Sequence, residues 1–262
     1  MINSIQTYEP NSDIDSPNRG GIVVVIPVYN HAGTVATVIR KTLSHHFPVI
    51  VVDDGSTDNT YDAVRSVSGI EVLHHRENRG KGAALMTGMT KAAEKYRWAV
   101  CLDADGQHNP DDIPNLIAAL PENRAAIIIG KRIGMETAPW TSRFGKKFSN
   151  FWVWVSGAAF LDDSQSGFRI YPLPETLRLD VAAKRYQYEL EVLVKAARQG
   201  IAAVEVPISV NYAPMGRRIS HFRPFRDFLR NSATFSRLIT RRVFSPGLWR
   251  SGAKKAGAAQ KP

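Results

Sequence analysis

Cysteine and long apolar runs are nearly absent from this sequence of 262 residues. The single Cys101 excludes an internal disulfide and a cysteine-rich zinc site, and its apolar neighbours predict a buried structural thiol. No window reaches the roughly 18 consecutive apolar residues that a membrane-spanning helix needs. The first 20 residues are polar and lack the apolar core of a secretory signal. These absences predict a protein of the reducing cytoplasm.

Acidic residues are scarce in the C-terminal part of the chain. From Pro214 to the end there are 12 Lys and Arg and one acid, Asp227, whereas residues 1–213 hold 22 basic and 23 acidic residues. The net charge of +10 therefore belongs to the C-terminal segment. Such a segment favours phosphate groups, as in an anionic lipid surface, a phospholipid-like substrate or a nucleic acid.

Apolar strands and helical patterns alternate from residue 21 onwards. This alternation predicts an α/β fold with a mainly parallel sheet flanked by crossover helices. We predict strands at 21–27, 49–52, 71–74, 99–102, 126–129 and 202–208, a further short element at 166–171, and helices at 32–45, 57–67, 79–96, 110–120, 140–161 and 188–199. The predicted organisation is a flexible leader (1–20), one α/β domain (21–213), a basic amphipathic segment (214–250) and a disordered tail (251–262).

Polar loops follow three of the predicted strands. Asn30 follows the first strand, Asp53 and Asp54 follow the second, and Asp103 and Asp105 follow the fourth. Ligands of open α/β sheets bind outside the carboxyl ends of the strands. We therefore expect these loops to share one cleft.

The run DADGQ at 103–107 is the main candidate for a metal site. Asp103 and Asp105 are two residues apart, so their side chains project to the same side of an extended backbone. Two close carboxylates repel each other unless a cation neutralises them. Their oxygens, with Gln107 nearby, suit Mg²⁺ or Mn²⁺ bound together with substrate phosphates. The alternative is a cap for a helix that begins near Pro110.

Three further loops are candidates for contacts with a nucleotide. Asp53 can accept a hydrogen bond from a base, although an ordinary turn also explains it. The NRGKG run, which includes Lys81, opens a predicted helix, where free backbone N–H groups favour an anion. Arg132 ends the fifth strand and can reach the same cleft. We predict that His74 and His75 lie at the surface.

The second half of the chain contains charged residues with two interpretations each. Arg169 either pairs with Asp162 and Asp163 or contacts the substrate. Glu189 and Glu191 lie in a predicted helix, where they either face solvent or belong to the site. The residue pattern alone leaves both alternatives open.

Several motifs follow one another in order: VVIPVYN (24–30), VVDDGSTD (51–58), NRGKGAAL (78–85), DADGQHNPDDIP (103–114), GKR (130–132), QSGFR (165–169) and YELEVLVKA (188–196). Together they resemble family 2 glycosyltransferases, closest to the dolichyl-phosphate mannose synthase-like branch. The resemblance extends over about residues 21–224. It implies a GT-A-type (Rossmann-like) fold, in which a nucleotide-binding α/β sheet is joined to an acceptor-binding half.

The resemblance also implies roles for individual residues. The implied roles are donor binding by Pro27, Tyr29, Asn30, Asp53, Lys81 and Asp103, Mg²⁺ or Mn²⁺ binding by Asp105 and Gln107, and contacts with acceptor or phosphate by Arg132, Arg218, Ser220 and His221. We take Asp105, Arg132 and Arg169 as the candidate catalytic residues. Two positions depart from the family pattern: His31 replaces its usual Glu, and His221 replaces its usual Lys.

The resemblance implies inverting, metal-dependent transfer of a sugar from a nucleotide-diphosphate sugar to a lipid-linked acceptor, with polyprenyl phosphate as the main candidate. A phosphate acceptor is already anionic and needs no general base. An alternative is transfer to a hydroxyl of a cell-surface polysaccharide or lipopolysaccharide precursor, which requires a carboxylate within hydrogen-bond reach. Asp162, Asp163, Glu189 and Glu191 are the candidates for that base.

The C-terminal segment predicts a basic amphipathic helix at 222–243, with Phe235 and Leu238 among its apolar residues. Such a helix can lie in a membrane interface, which would place a cytoplasmic enzyme peripherally on the inner face of the cell membrane. It can equally pack on the domain and expose a solvated basic face. A protein that binds nucleic acid through this basic segment is a distant alternative, because no RNA- or DNA-binding signature accompanies it.

The predicted helix at 140–161 is aromatic and basic. Phe151, Trp152 and Trp154 either form a wall towards lipid or belong to the core of the helix packing.

Overall fold

The computed structural model describes residues 21–122, 124–133, 140–210, 232 and 234–240, with the backbone alone for 140–145. The predicted leader and tail and most of the 214–250 segment lie outside these residues. Within the described part, seven strands form one sheet. They are β1 (Ile22–Val28), β2 (Val49–Asp53), β3 (Glu71–His74), β4 (Trp98–Cys101), β5 (Ala126–Arg132), β6 (Arg169–Pro172) and β7 (Ala202–Ile208).

Helices connect these strands and cover both faces of the sheet. They are α1 (Val35–Leu43), α2 (Thr60–Arg65), α3 (Lys81–Ala92), α4 (Ile113–Ala118), α5 (Trp140–Val155), α6 (Leu173–Leu177) and α7 (Tyr188–Arg198), and a 3₁₀ turn, Pro110–Asp112, precedes α4. The short α6 was not predicted, and the helix predicted at 140–161 ends at Val155. Gly157 has a φ of 107°, which a helix does not accommodate.

The strand order is β3-β2-β1-β4-β6-β5-β7. The sheet is mainly parallel, as predicted, but β6 is antiparallel to both of its neighbours, β4 and β5. Strand β1 is buried at every position, which its continuous apolar sequence requires of a central parallel strand. Two apolar clusters, one containing Val25 and Leu85 and the other Val24 and Leu116, fill the two sides of the sheet.

The antiparallel β6 determines which loops meet. Arg169, its first residue, is paired with Cys101 near the end of β4 and with Ile129 of β5. The segment that leads into β6, residues 162–168, therefore lies at the carboxyl edge of the parallel strands. Cys101 itself is buried, as predicted, and burial raises the pKa of its thiol well above the usual range.

The described part of the predicted C-terminal helix packs on the domain. Residues 234–240 are helical, and Phe235 and Leu238 are buried in the same cluster as residues of α5 and α7. Arg237 pairs with the buried Glu191 at 2.7 Å. Phe235 and Leu238 therefore belong to the protein core, and for these two residues the alternative of packing on the domain holds rather than that of a membrane contact.

Among the described residues, no helix is both long enough and apolar enough to cross a lipid bilayer.

Candidate active site

The loops after β1 and β2 are tied together by side-chain hydrogen bonds. The backbone N–H of Asn30 donates to Ser56 Oγ at 3.0 Å, and Asn30 Oδ1 accepts from the backbone N–H of Thr57 at 2.8 Å. Asn30 has a φ of 54°, a left-handed conformation that asparagine tolerates better than most residues. Pro27, within β1, and Tyr29 precede this turn, so the donor-binding residues predicted there lie at the carboxyl edge of the sheet.

Asp53 lies at the end of β2 with its side chain fully buried. Its carboxylate accepts from the backbone N–H of Ser56 at 3.2 Å and from the hydroxyl of the same residue, and it lies 2.9 Å from His74 Nδ1. Ser56 and His74 of the protein itself are thus the hydrogen-bond partners of this carboxylate. A contact between Asp53 and a nucleoside base stays a prediction, and it would have to share or replace one of these partners.

Asp54 anchors the loop before α3. It accepts from the backbone N–H groups of Arg79 at 3.0 Å and Gly80 at 2.7 Å, and it lies 2.7 Å from Nδ1 of His75. His75 is buried, so the prediction that it lies at the surface is wrong. The carboxylate of Asp54 accepts the hydrogen bonds that these backbone N–H groups would otherwise donate to water. It thereby holds the start of α3 beside β2.

Lys81, the first residue of α3, joins the two halves of the site. Its Nζ lies 2.6 Å from Asp103 Oδ1, after β4, and 2.8 Å from Glu189 Oε1 on α7. Burial lowers the pKa of Lys81, but the two carboxylates raise it by more, so it lies above its ordinary value and the side chain stays charged. Glu189 therefore belongs to the site, and a solvent-facing position for it is wrong.

Asp103 and Asp105 differ in their electrostatic environment. Burial raises the pKa of Asp103, but the ammonium of Lys81 outweighs this effect and the pKa falls below its ordinary value. The pKa of Asp105 is raised, first by burial and then by repulsion from Asp103. Asp105 is the carboxylate whose charge the protein balances less well.

Gln107 folds back onto Asp105. Its backbone N–H donates to Asp105 Oδ1 at 3.0 Å, and its side-chain Nε2 donates to Oδ2 at 2.7 Å. The loop is also fixed by Thr34, whose hydroxyl donates to the carbonyl oxygen of Ala104 at 2.7 Å. His108, the next residue, is buried, and burial lowers the pKa of its imidazole, which favours the neutral form. This loop thus places the carboxylate of Asp105, which Gln107 holds, beside a buried histidine whose neutral form is favoured.

Gly167 covers the cluster of Asp103, Lys81 and Glu189. A Cβ atom at this position would lie 2.6 Å from Lys81 Nζ, 2.7 Å from Asp103 Oδ2 and 3.0 Å from Glu189 Oε1. The backbone of the segment before β6 thus packs directly against the charged atoms. Glycine permits this close approach, because a side chain here would displace the charged atoms, and the SGF run of the sequence is the signal that could have identified it.

Arg169 is fully buried. Its guanidinium donates at 2.7 Å to the carbonyl oxygens of Ser164, Ser166 and Glu189. These bonds hold the 162–168 segment against α7. Its burial argues against the predicted contact between Arg169 and the substrate and gives it a structural role instead.

The acid pair before β6 contacts the end of β5. Arg132 donates to Asp163 through Nε at 2.7 Å and Nη2 at 2.8 Å, and Lys131 pairs with Asp162. The predicted pairing of Arg169 with these acids is therefore wrong, because the two residues of β5 take that place. The fully buried Asp163 fixes the guanidinium of Arg132, a partner that the sequence did not reveal.

Site residues from both halves of the sequence thus lie at one edge of the sheet, with Lys81 and Glu189 as the contact between the halves. Three predicted phosphate contacts, Arg218, Ser220 and His221, lie outside the described residues. Within the described residues, no three His, Cys, Asp or Glu side chains converge on one point as a self-sufficient metal centre.

Comparison with known proteins bears on both sequence and fold. The sequence profile described as glycosyl transferase family 2 matches residues 23–173. The chain is 31% identical over 215 residues to a UDP-N-acetylglucosamine–dolichyl-phosphate N-acetylglucosaminyltransferase of Methanococcus voltae, covering 73% of this chain and 86% of that protein. It is 28% identical over 214 residues to the polyprenol monophosphomannose synthase of Mycolicibacterium smegmatis, covering 74% and 78%.

Among solved structures, glucosyl-3-phosphoglycerate synthase from Mycobacterium tuberculosis, in complex with Mn²⁺, UDP and phosphoglyceric acid, has a similar fold. The TM-score is 0.60 at 21% identity, and the match covers 84% of this chain and 78% of that one. The predicted GT-A-type α/β fold is confirmed.

Proposed function

Because the chain belongs to glycosyl transferase family 2, we propose that this glycosyltransferase moves a sugar from a nucleotide-diphosphate sugar to a polyprenyl phosphate. Curated relatives of similar length are named for transfer to dolichyl phosphate or for polyprenol monophosphomannose synthesis. The observation that carries the proposal is the charged cluster at the end of β4. It combines a carboxylate suited to a cation, Asp105, with a lysine that connects the donor and acceptor halves, Lys81.

A divalent cation fits the charge of this cluster. Asp103, Asp105 and Glu189 are three carboxylates, whereas Lys81 and the buried Arg169 behind it supply two positive charges, which leaves an excess of negative charge. The oxygens are hard ligands that suit Mg²⁺ or Mn²⁺. Such ions are commonly held by one or two carboxylates and completed by substrate phosphates, so a site built on Asp105, with Gln107 beside it, needs no cluster of three protein ligands.

The bound cation would stabilise the negative charge of the departing nucleoside diphosphate, as a Lewis acid does. The protein's own residues hold the reacting groups in place. We assign Asp103 and Lys81 to the donor side, where the pair stays charged. We assign Arg132 to the transferring phosphate, because Asp163 holds its guanidinium at the end of β5.

A phosphate acceptor explains how the reaction proceeds without a general base. One oxygen of the acceptor phosphate forms a bond to the anomeric carbon, while the bond from that carbon to the diphosphate oxygen breaks and its electron pair leaves with the nucleoside diphosphate. A single displacement of this kind inverts the configuration at the anomeric carbon. The attacking oxygen is already anionic, so no proton has to be removed.

Transfer to a hydroxyl is the second candidate, and the environment of the carboxylates does not favour it. Asp163 is buried against Arg132, Asp162 pairs with Lys131, and Glu191 is buried with Arg237. Of the four residues considered as bases, only Glu189 contacts the cluster, and its carboxylate is occupied by the ammonium of Lys81. A base for a hydroxyl acceptor would have to leave one of these ion pairs.

The test has two steps. First, the thermal unfolding midpoint is measured with UDP-, GDP- and dTDP-sugars, with and without Mn²⁺ or Mg²⁺; we expect one donor to stabilise the protein, and only with the cation. Second, the radiolabelled donor is offered with polyprenyl phosphate or with saccharide acceptors. Label in the polyprenyl phosphate fraction, lost with EDTA and restored by Mn²⁺, supports the proposal. Transfer to saccharides alone would overturn it in favour of the hydroxyl acceptor.

A further inference from the structure

Large aromatic side chains are exposed at the end of α5 and just beyond it. Phe151, Trp154 and Phe160, here called the aromatic patch, are 49%, 51% and 68% exposed. Phe151 and Trp154 are three residues apart, so they lie on one face of the helix, and the exposed Lys147 lies one turn before Phe151 on that face. Neighbouring exposed aromatic residues such as Phe151 and Trp154 on a protein surface indicate a contact with a partner or a membrane.

The patch is continuous with aromatic packing inside the protein. The ring of Phe151 lies 6.1 Å from that of Trp154 and 5.3 Å from that of Trp152, and Trp152 stacks on the buried Phe235 at 6.4 Å. Trp152 and Phe235 hold the inner side of α5 on the domain. The rings of Phe151 and Trp154 therefore face outward from a helix that is fixed in place, and α5 does not need to rearrange to present them.

Charge selects the kind of surface that the patch fits. From residue 137 to residue 161 the sequence contains three basic residues and no acid. Tryptophan and phenylalanine beside lysines are the composition of protein segments that lie at the interface of anionic membranes, where the rings enter the headgroup region and the lysines meet lipid phosphates. A partner protein with a basic surface would be repelled here.

The patch is also connected to the 162–168 segment, which leads into β6 at the carboxyl edge of the sheet. Asn150, next to Phe151, donates through Nδ2 to the carbonyl oxygen of Asp162 at 2.7 Å, and its Oδ1 accepts from the backbone N–H of Ser164 at 3.0 Å. The residue between these two, Asp163, holds Arg132. One hydrogen-bonded step thus links the base of the patch to the segment that positions the proposed phosphate-binding arginine.

We propose that the aromatic patch docks the protein on an anionic membrane, beside the entrance through which a lipid-linked phosphate reaches the cleft. The link to catalysis rests on the proposed polyprenyl phosphate acceptor. This surface replaces Phe235 and Leu238, which are buried in the core and are not available to lipid. With the patch in the headgroup region, the acceptor phosphate lies near Arg132 while its isoprenoid chain stays in the bilayer.

Co-sedimentation with vesicles tests the docking. The vesicles contain phosphatidylcholine alone or with about 30% phosphatidylglycerol, which gives an anionic surface. In the full-length protein the triple variant Phe151→Gln/Trp154→Gln/Phe160→Gln should lower the partition coefficient on anionic vesicles about tenfold or more. Because these side chains are exposed, its circular dichroism and thermal midpoint should match those of the wild type.

A matched pair of charge reversals isolates the electrostatic part. Lys147→Glu should weaken binding to anionic vesicles about tenfold, with little change on phosphatidylcholine alone. Lys95→Glu changes the net charge equally, but Lys95 follows α3 at the opposite, amino edge of the sheet. It should change binding by no more than about twofold. Equal losses in the two variants would show that net charge, not this surface, governs the interaction.

Transfer assays separate the docking from the acceptor. The triple variant should lose transfer to long-chain polyprenyl phosphate in vesicles but retain transfer to a short-chain, water-soluble prenyl phosphate. A wild type that binds vesicles through the patch but labels neither phosphate would overturn the acceptor and leave the docking intact. Unchanged vesicle binding in the triple variant overturns the docking. If, in addition, sedimentation equilibrium shows a wild-type dimer that the triple variant dissociates, the patch is a contact between two copies of the chain instead.

Discussion

Two acidic loops lie at the same edge of the sheet, one after β2 and one after β4, but their charges are balanced in different ways. The protein surrounds Asp53 and Asp54 with its own partners: two histidines, the hydroxyl of Ser56 and three backbone N–H groups. Within the part of the chain that the structure describes, the carboxylate of Asp105 accepts hydrogen bonds from Gln107 only, and its pKa is raised. The loop after β2 therefore stabilises the fold. The loop after β4 is suited to a cation that binds together with the phosphates of the substrate.

The difference shows why an acidic motif does not by itself indicate chemistry. Both loops follow buried apolar strands and both contain two carboxylates, so their sequences suggest the same kind of site. What separates them is the supply of donors from other parts of the chain, because a buried carboxylate that is fully hydrogen-bonded has no need for a metal.

The largest effect is expected from Asp105→Asn. This change keeps the shape of the side chain and removes the charge that a cation requires, so transfer should fall by about 10³-fold or more. The thermal midpoint should stay the same or rise, since burial and Asp103 already disfavour the charge. Initial rates with radiolabelled donor and thermal unfolding measure the two effects. Asp111→Asn, at an exposed carboxylate, is the control and should keep wild-type rates. Full turnover in Asp105→Asn would place the cation elsewhere.

Asp54→Asn should have the opposite profile. The buried carboxylate accepts from Arg79 and Gly80 and lies beside His75, so the free energy of unfolding should fall by about 2–4 kcal/mol. The transfer rate per folded molecule should change much less than in Asp105→Asn. Urea unfolding gives the stability, and Asp62→Asn, exposed in the first turn of α2, should cost less than about 0.5 kcal/mol. A stable but inactive Asp54→Asn protein would erase the distinction between the loops.

Much of this arrangement could be predicted from the sequence, for a physical reason. Apolar runs such as Ile22–Val28 report burial on both faces, and successive parallel strands place their carboxyl ends at one edge. The convergence of the loops that contain Asn30, Asp53 and Asp105 follows from these two facts. The resemblance to a family then indicated which chemistry such an edge supports.

The pairing of distant side chains could not be predicted. Lys81 and Glu189 are far apart in the sequence, and nothing local marks Glu189, whose neighbour Glu191 has the same chemistry but a different role. The position of β6 is also set by tertiary contacts. The sequence predicted a short element at 166–171 but not its antiparallel insertion between β4 and β5. This insertion places Asp163 against Arg132, whereas the sequence offers the acid pair as one of two alternatives for Arg169.

Glu189→Gln and Glu191→Gln extend the comparison to two carboxylates of one helix. Glu189→Gln removes a negative charge from the cluster and one partner of Lys81, so transfer should fall about 10- to 100-fold and more Mn²⁺ should be needed for half-maximal rate. Glu191→Gln leaves Arg237 and Lys195 without their buried counter-charge, and should lower stability by about 1–3 kcal/mol. Its rate per folded molecule should stay close to wild type.

A titration of the rate with Mn²⁺ separates these outcomes. If Glu189→Gln lowered stability as much as Glu191→Gln and left the Mn²⁺ dependence unchanged, Glu189 would be one more structural acid like Asp54.

The smallest effect is expected from Gly167→Ala, which tests how closely the backbone covers the cluster. The added methyl group would lie 2.6 Å from Lys81 Nζ and 2.7 Å from Asp103 Oδ2, so these charged atoms have to shift. They are the ends of side chains, and the shift should cost at most about 1 kcal/mol of stability, while transfer falls about tenfold because the donor side is displaced. Gly33→Ala is the matched control, since a Cβ at Gly33 meets nothing within 4 Å. Parallel rate and unfolding measurements on the two variants should give a loss of rate in Gly167→Ala alone. Equal transfer rates in the two variants would mean that Lys81 and Asp103 can be displaced without loss of activity. Asp105 would then act independently of the contact that Lys81 makes between the two halves of the site.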